Sequence, residues 1–409
     1  MNHEDTRLNR RRSQRRRVMV PLALTAVCGL TLAACSSGDS GTASAAASSA
    51  APEPCPEPSF ASGPGGAAPS GAPADGMPSA PPGGAAGGLP VAKTIAPSDN
   101  STSTVYTPSG PEITCGTTAV ELTTDVTYAT PTTADGEEIP LKLDIQTPDT
   151  SGDKPLVVYL TGGGFSSAQK SGNLNQRTWV AEQGYVVASI EYRTVTNGDA
   201  TYKDAVADVK SAVRHLWANA EEYGIDPENV AVWGQSAGGY LAAMTGATNG
   251  DESFVSGDHL DQSSDVQGVV DQFGPSDLSR LAADFDTAMK DEYYTPGNNF
   301  ARWVYGPGTD RSIEESTPEI EAANPASHIS GETAPFIEMH GTEDHFVSPS
   351  QTIVVHEALR AEGIESTRYV LEGADHGDLS FTGDTDAAGA WNSEQTMGYI
   401  LDFFDKHLS

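Results

Sequence analysis

Residues 229–244 read NVAVWGQSAGGYLAAM, and the fold turns on how this stretch is understood. Its opening, Val230–Trp233, is a short continuous apolar run, which is how a strand covered on both faces reads. Its end is rich in alanine and leucine and reads as the start of a helix. Between them Gly234, Gln235, Ser236, Ala237 and Gly238 match the pattern G-x-S-x-G. The spacing has a mechanical reason: a serine on a tight strand-to-helix turn takes a strained backbone, and glycines two residues to either side let strand and helix come close. A helix-capping serine is the plainer alternative, but the buried strand before it and the helix after it favour the turn.

Similar apolar runs recur outward from this point: LVVYL at 156–160, YVVASI at 185–190, VQGVVDQF at 266–273, FIEMH at 336–340 and RYVLEG at 368–373. Helical patterns lie between them. In residues 202–223, Tyr202, Val206, Val209, Val213, Leu216, Ala220 and Tyr223 make one apolar stripe at steps of three or four. A second helix follows Ser350, with Val354, Val355, Leu359 and Ala361 expected on its buried side. Strand and helix in alternation predict an α/β fold, a mostly parallel sheet with helices on both faces, in which the chemistry sits at the carboxyl ends of the strands. About 290 residues follow Cys115, enough for one large core.

A serine hydroxyl is a poor nucleophile near neutral pH and requires a base, which in turn requires an orienting acid. Asp344 and His376 each follow a predicted strand directly, giving the chain order Ser, Asp, His that this type of sheet uses. With nine histidines in the chain, a lone one means little. His376 stands out by its loop position between Gly373 and Gly377, whereas His340, at a strand's end, reads as a structural hydrogen-bonder. Glu343, Asp375 and Asp378 are the rival acids. The triple glycine Gly162, Gly163 and Gly164 leaves the strand expected beside that of Ser236, where the second half of an oxyanion hole would form. A phosphate loop is the weaker reading, because no Lys-Ser or Lys-Thr follows at the required spacing.

From about Val126 to Leu408 the chain resembles the α/β-hydrolases. Among them it is similar to the esterases grouped with hormone-sensitive lipase and to bacterial feruloyl-esterase-like (BD-FAE-like) carboxylesterases. The resemblance rests on VVYLTGGGF, GYVVASIEYR, the stretch ending in VAVWGQSAGGYLAA, DQSSDVQGVVDQFGPSDL, HGTEDHFVSPSQ and GADHG. It implies a Ser236, Asp344, His376 triad, with the backbone N–H groups of Gly163, Gly164 and Ala237 holding the oxyanion. It also implies a carboxylesterase that needs no cofactor. The family usually carries His before its glycines, where this chain has Thr161. That departure puts the rigidity of the loop and the acyl-side specificity in question. Residues 276–326 are too long for a plain connection and read as a helical cap. Phe285, Tyr293, Tyr294, Phe300, Trp303 and Tyr305 are candidates to line the site, or to be core of the cap.

The ends of the chain belong to a different class. Arg7, Arg10, Arg11, Arg12, Arg15, Arg16 and Arg17 precede an apolar stretch, so residues 1–34 read as an export signal. Arg15 and Arg16 also resemble a twin-arginine motif, and the export route stays open. Leu32, Ala33, Ala34 and Cys35 look like a lipobox, which would leave Cys35 lipidated and the protein tethered outside the cytoplasm at the cell membrane. From Ser36 to about Ser109 the chain is almost all Ala, Gly, Pro and Ser, too poor in large apolar side chains to offset ordering entropy. A disordered linker over 35–115 and a catalytic domain over 116–409 are therefore expected. Cys55 and Cys115 either pair or remain unpaired.

A net charge of −33 repels nucleic acid. Neither CxxC nor HExxH occurs, so no metal site is expected, and the acidic stretch GDESFVSGDHLDQSSD reads as a solvated face rather than a calcium loop. The substrate expected is a small-molecule or polysaccharide-linked ester, with oligomeric state left open. Two other functions share the fold: a serine peptidase of the prolyl-oligopeptidase type, and a non-catalytic cell-surface binding module.

Overall fold

The computed structural model describes residues 53–56, 91–133, 135–377 and 387–409. The signal, Cys35, most of the linker and Asp378 lie outside the described residues. In chain order the strands are β1 (Glu53–Pro54), β2 (Thr104–Tyr106), β3 (Thr114–Cys115), β4 (Val120–Ala129), β5 (Leu141–Pro148), β6 (Lys154–Leu160), β7 (Val186–Ile190), β8 (Ile225–Gln235), β9 (Gly268–Gln272), β10 (Phe336–Gly341) and β11 (Ser366–Leu371). The helices are α1 (Leu174–Glu182), α2 (Tyr202–Ala218), α3 (Ala220–Tyr223), α4 (Ala237–Ala247), α5 (Thr287–Tyr293), α6 (Asn299–Tyr305), α7 (Pro318–Glu321), α8 (Gln351–Ala361), α9 (Ala387–Trp391) and α10 (Glu394–His407).

Nine strands form one sheet in the order β2-β11-β10-β9-β8-β6-β7-β5-β4. Only the β4–β5 and β5–β7 pairings are antiparallel. This is the α/β-hydrolase arrangement, with β8 near the middle.

Side-chain alternation along the central strands divides the core. On β6, Leu156, Val158 and Leu160 join the side covered by α2, α4 and α8, while Val157 and Tyr159 face α1 and α10. Both faces are dry, which accounts for the unbroken apolar runs in the sequence. Helix α2 carries its stripe inward, as expected, and Thr201 with Asp204 closes a capping box at its start.

Two expectations fail. Residues 91–115 belong to the folded domain rather than to a disordered linker: β2 pairs in parallel with β11, and the Ala92 N–H donates to the His345 carbonyl at 3.0 Å. The cause is compositional, since Ile95, Val105, Tyr106 and Ile113 restore large apolar side chains that the upstream tract lacks. On α8 the expectation fails in part: Val355 and Leu359 are buried as expected, but Val354 is only half-buried, Ala361 is exposed, and the buried face continues through Gln351, Thr352, Ile353 and His356. Buried polar residues there hide the stripe from a reading by hydrophobicity alone. Cys55 and Cys115, left open above, form a disulfide with Cα atoms 4.6 Å apart. Among the described residues no helix is long and apolar enough to cross a membrane.

Candidate active site

Ser236 directly follows β8 and occupies the N-cap position of α4 with φ 54° and ψ −122°. A non-glycine residue avoids this region unless its surroundings enforce it. The enforcement is by backbone. The Ser236 N–H donates to the Gln272 carbonyl of β9 at 2.9 Å. A Cβ on Gly234 would lie 2.0 Å from the Gly238 carbonyl oxygen, and one on Gly238 would lie 2.0 Å from that of Leu160. The two flanking glycines are thus required by close approach of main chain to main chain.

Asp344 and His376 come from the loops after β10 and β11, and the structure brings both to Ser236. His376 Nε2 lies 2.9 Å from Ser236 Oγ and its Nδ1 2.8 Å from Asp344 Oδ2. Asp344 is fully buried, and its Oδ1 accepts from the backbone N–H groups of Phe346 and Val347 at 2.9 and 2.8 Å. Burial alone would raise its carboxyl, but the imidazoles of His376 and His340 more than reverse that and hold it well below the usual carboxylate range. His340 contacts Asp344 Oδ2 at 3.1 Å and Thr352 Oγ1 at 3.2 Å, the structural placement expected of it. Of the rival acids, Glu343 is exposed, and Asp375 turns to His345 Nδ1 at 2.8 Å while accepting the His376 backbone N–H at 2.7 Å.

Beyond β6 the glycine loop passes beside the serine. Gly163 is compelled by packing, since a Cβ there would sit 2.2 Å from the Ser167 carbonyl oxygen. Among the described residues the backbone N–H groups of Gly163, Gly164 and Ala237 donate to no protein acceptor. Thr161 is buried. The Tyr192 hydroxyl donates to its carbonyl at 2.7 Å, and its methyl lies 3.0 Å from where a Cβ of Gly172 would be.

These residues line a cavity of about 400 Å³. Its lining includes the apolar residues Phe165, Leu281, Tyr293, Phe300, Phe346 and Val347. It also includes the carboxamide residues Gln169, Asn173, Asn175 and Asn392. Of the six cap aromatics, Tyr293 and Phe300 reach the cavity. Phe285 and Trp303 are buried in core, and Tyr294 and Tyr305 pack against it. Sequence reading missed the carboxamide residues and Phe346. Phe346 stands two residues from Asp344, a usable signal, whereas nothing local marks Asn392, which the fold delivers from the far end of the chain.

The BD-FAE family model matches residues 143–359. A probable isoprenylcysteine alpha-carbonyl methylesterase of Arabidopsis thaliana is 28% identical over 247 residues, 60% of this chain and 50% of that one. A probable carboxylic ester hydrolase of Mycobacterium tuberculosis, LipM, is 28% identical over 218 residues, 52% of this chain and 46% of that one. The chain therefore spans about half the length of the curated relatives it matches. Among solved structures, a thermophilic esterase of Thermogutta terrifontis with butyrate bound superposes with a TM-score of 0.53 at 26% identity, covering 71% of this chain and 94% of that one.

Proposed function

The chain belongs to the BD-FAE family of α/β-hydrolases, and we propose that it is a serine carboxylesterase, exported and tethered to the membrane through a lipidated Cys35 as its N-terminal sequence suggests. The observation that carries the catalytic reading is the continuous line Asp344, His376, Ser236, at 2.8 and 2.9 Å, opening on a cavity beside bare backbone N–H groups. Ser236 Oγ attacks the ester carbonyl and passes its proton to His376 Nε2. Asp344, buried and ionised, holds the Nδ1–H side of the ring and stabilises the imidazolium. The N–H groups of Gly163, Gly164 and Ala237 receive the oxyanion, each contributing on the order of 3 kcal/mol to the transition state. Collapse returns the proton to the departing alcohol. Water then repeats the cycle on the acyl-enzyme and frees the acid.

The lining offers two kinds of side chain. The apolar ones suit a short or aryl acyl group, in keeping with the butyrate in the Thermogutta esterase, and the carboxamides suit an alcohol bearing hydroxyls, whether a small molecule or polysaccharide-linked. Export is supported by the arginine-rich start and by the Cys55–Cys115 disulfide, a bond that persists in oxidising compartments. The decisive experiment incubates the protein with a fluorophosphonate and with p-nitrophenyl acetate and butyrate. Labelling and turnover are expected in the wild type and should vanish in Ser236→Ala; survival of either sinks the assignment.

A further inference from the structure

The loop after β6 holds three consecutive residues at positive φ: Gly163 at 153°, Gly164 at 57° and Phe165 at 61°. Glycine tolerates this, but a phenylalanine does so only when its surroundings hold it there. Tyr240 of α4 packs edge-on against its ring, with centroids 5.4 Å apart, and a second hold comes from the cap. The buried Phe165 ring stacks on Trp303 of α6, with centroids 4.6 Å apart and planes 15° from parallel. The main chain of the loop is gripped as well. The Phe165 carbonyl accepts the Val195 N–H at 3.0 Å, and the Val195 carbonyl in turn accepts Arg302 Nη2 of α6 at 2.6 Å. The same Nη2 pairs with Asp199 at 2.8 Å. One short helix therefore reaches the loop twice, through a ring stack and through residues 195–199. The strand end offers less: Thr161 gives only its carbonyl to Tyr192, and its buried hydroxyl has no hydrogen-bond partner among the described residues.

We propose that Trp303 and Arg302 are positioning residues for the oxyanion loop, so that the cap fixes where the Gly163 and Gly164 N–H groups point. This rests on the reading of those groups as oxyanion donors. Neither Trp303 nor Arg302 lines the cavity, whereas Phe300, on the same helix, does. An acyl group pressing on Phe300 thus bears on the helix that sets the loop, and acyl shape is read in kcat more than in KM.

The test compares wild type, Trp303→Leu, Trp303→Phe and Arg302→Gln by amide hydrogen exchange across residues 162–167, and by kcat per serine labelled to completion with fluorophosphonate. Trp303→Leu should speed exchange in that loop about tenfold. It should also lower kcat per labelled serine about ten- to a hundredfold, with KM for a short ester changed by less than about twofold. Trp303→Phe keeps a ring on Phe165 and should recover most of the loss. Arg302→Gln, at a partly exposed site that leaves the core intact, should move both readouts the same way by about threefold. Unchanged exchange in the loop overturns the latch and leaves the donor reading standing. A loosened loop with full kcat per labelled serine overturns both, because the loop then carries no oxyanion. A melting temperature that falls while both readouts hold makes Trp303 a packing residue and also overturns the proposal.

Discussion

The turn at Ser236 and the loop at Phe165 both line the same cavity, and each holds a non-glycine residue at nearly the same positive φ, 54° and 61°. They are restrained in different ways. At Ser236 the restraint is main chain on main chain: the bond to the Gln272 carbonyl and the contacts of Gly234 and Gly238 with carbonyl oxygens. At Phe165 main chain contributes as well, through the Val195 N–H on its carbonyl, but the ring is held by side chains: Tyr240 of α4, and Trp303 from about 140 residues downstream, whose neighbour Arg302 holds the Val195 carbonyl. Backbone restraint leaves no room to relax and responds to a change by failing. Side-chain restraint is graded, because each contact contributes a part.

The sharpest way to break the contrast is Gly238→Ala. Its methyl would meet the Leu160 carbonyl at 2.0 Å, where only movement of β6 or α4 gives relief. Turnover of p-nitrophenyl butyrate should fall by about three orders of magnitude or more, with a stability loss of roughly 3 kcal/mol in urea unfolding. A variant with near-normal activity would show that the turn is softer than its backbone contacts imply.

Thr161→His should be the next largest. The threonine methyl already lies against Gly172, so an imidazole must push on residues 169–173, which hold the Gln169 and Asn173 carboxamides at the cavity. The expected outcome is about 1–3 kcal/mol of destabilisation and a higher KM, rather than a simple change of acyl preference. Titration by fluorophosphonate should still reach completion, since Ser236 and His376 are untouched. Tyr192→Phe is milder. It removes one hydrogen bond to the Thr161 carbonyl and should lower stability by about 1 kcal/mol and kcat a few-fold. Equal losses in Tyr192→Phe and Gly238→Ala would erase the distinction between the two sides.

The same contrast explains what could be read from the sequence. Ser236, its flanking glycines, Asp344 and His376 were legible because each stands at a strand end, and strands covered on both faces leave unbroken apolar runs. The alternation of strand and helix carried the sheet for the same reason. Phe165 gave no such signal, since a phenylalanine after three glycines says nothing about φ, and its partners Trp303 and Arg302 were visible only as members of an aromatic-rich insertion. Asn392 and the 91–115 segment were missed for a related cause. Both are fixed by pairings across more than 200 residues, Asn392 with Gln176 at 2.8 Å and β2 with β11, and local pattern is blind to such pairings.

The smallest predicted effect on turnover is also the one that probes the backbone-held side without breaking it. Asp271 of β9 is fully buried behind the Ser236 turn, and its Oδ1 lies 2.4 Å from where a Cβ of either Gly239 or Gly274 would be. Burial, then the neighbouring Glu338 carboxylate, push its carboxyl up to about 8, against the Gly274 N–H that favours the charge. The folded state therefore keeps a proton that the unfolded state loses near pH 4. The contribution of Asp271 to stability is expected to fall as pH rises from about 4 to about 8 and then level off, because above that both states are ionised. Asp271→Asn keeps an oxygen for the Gly274 N–H and cannot ionise. Its melting temperature should match wild type near pH 5 and exceed it by a margin that widens up to about pH 8 and then holds, with kcat per labelled serine unchanged. If the gap between variant and wild type stays constant from pH 5 to pH 9, the carboxyl is ionised throughout. The turn would then rest on a buried charge rather than on a neutral group held by backbone alone.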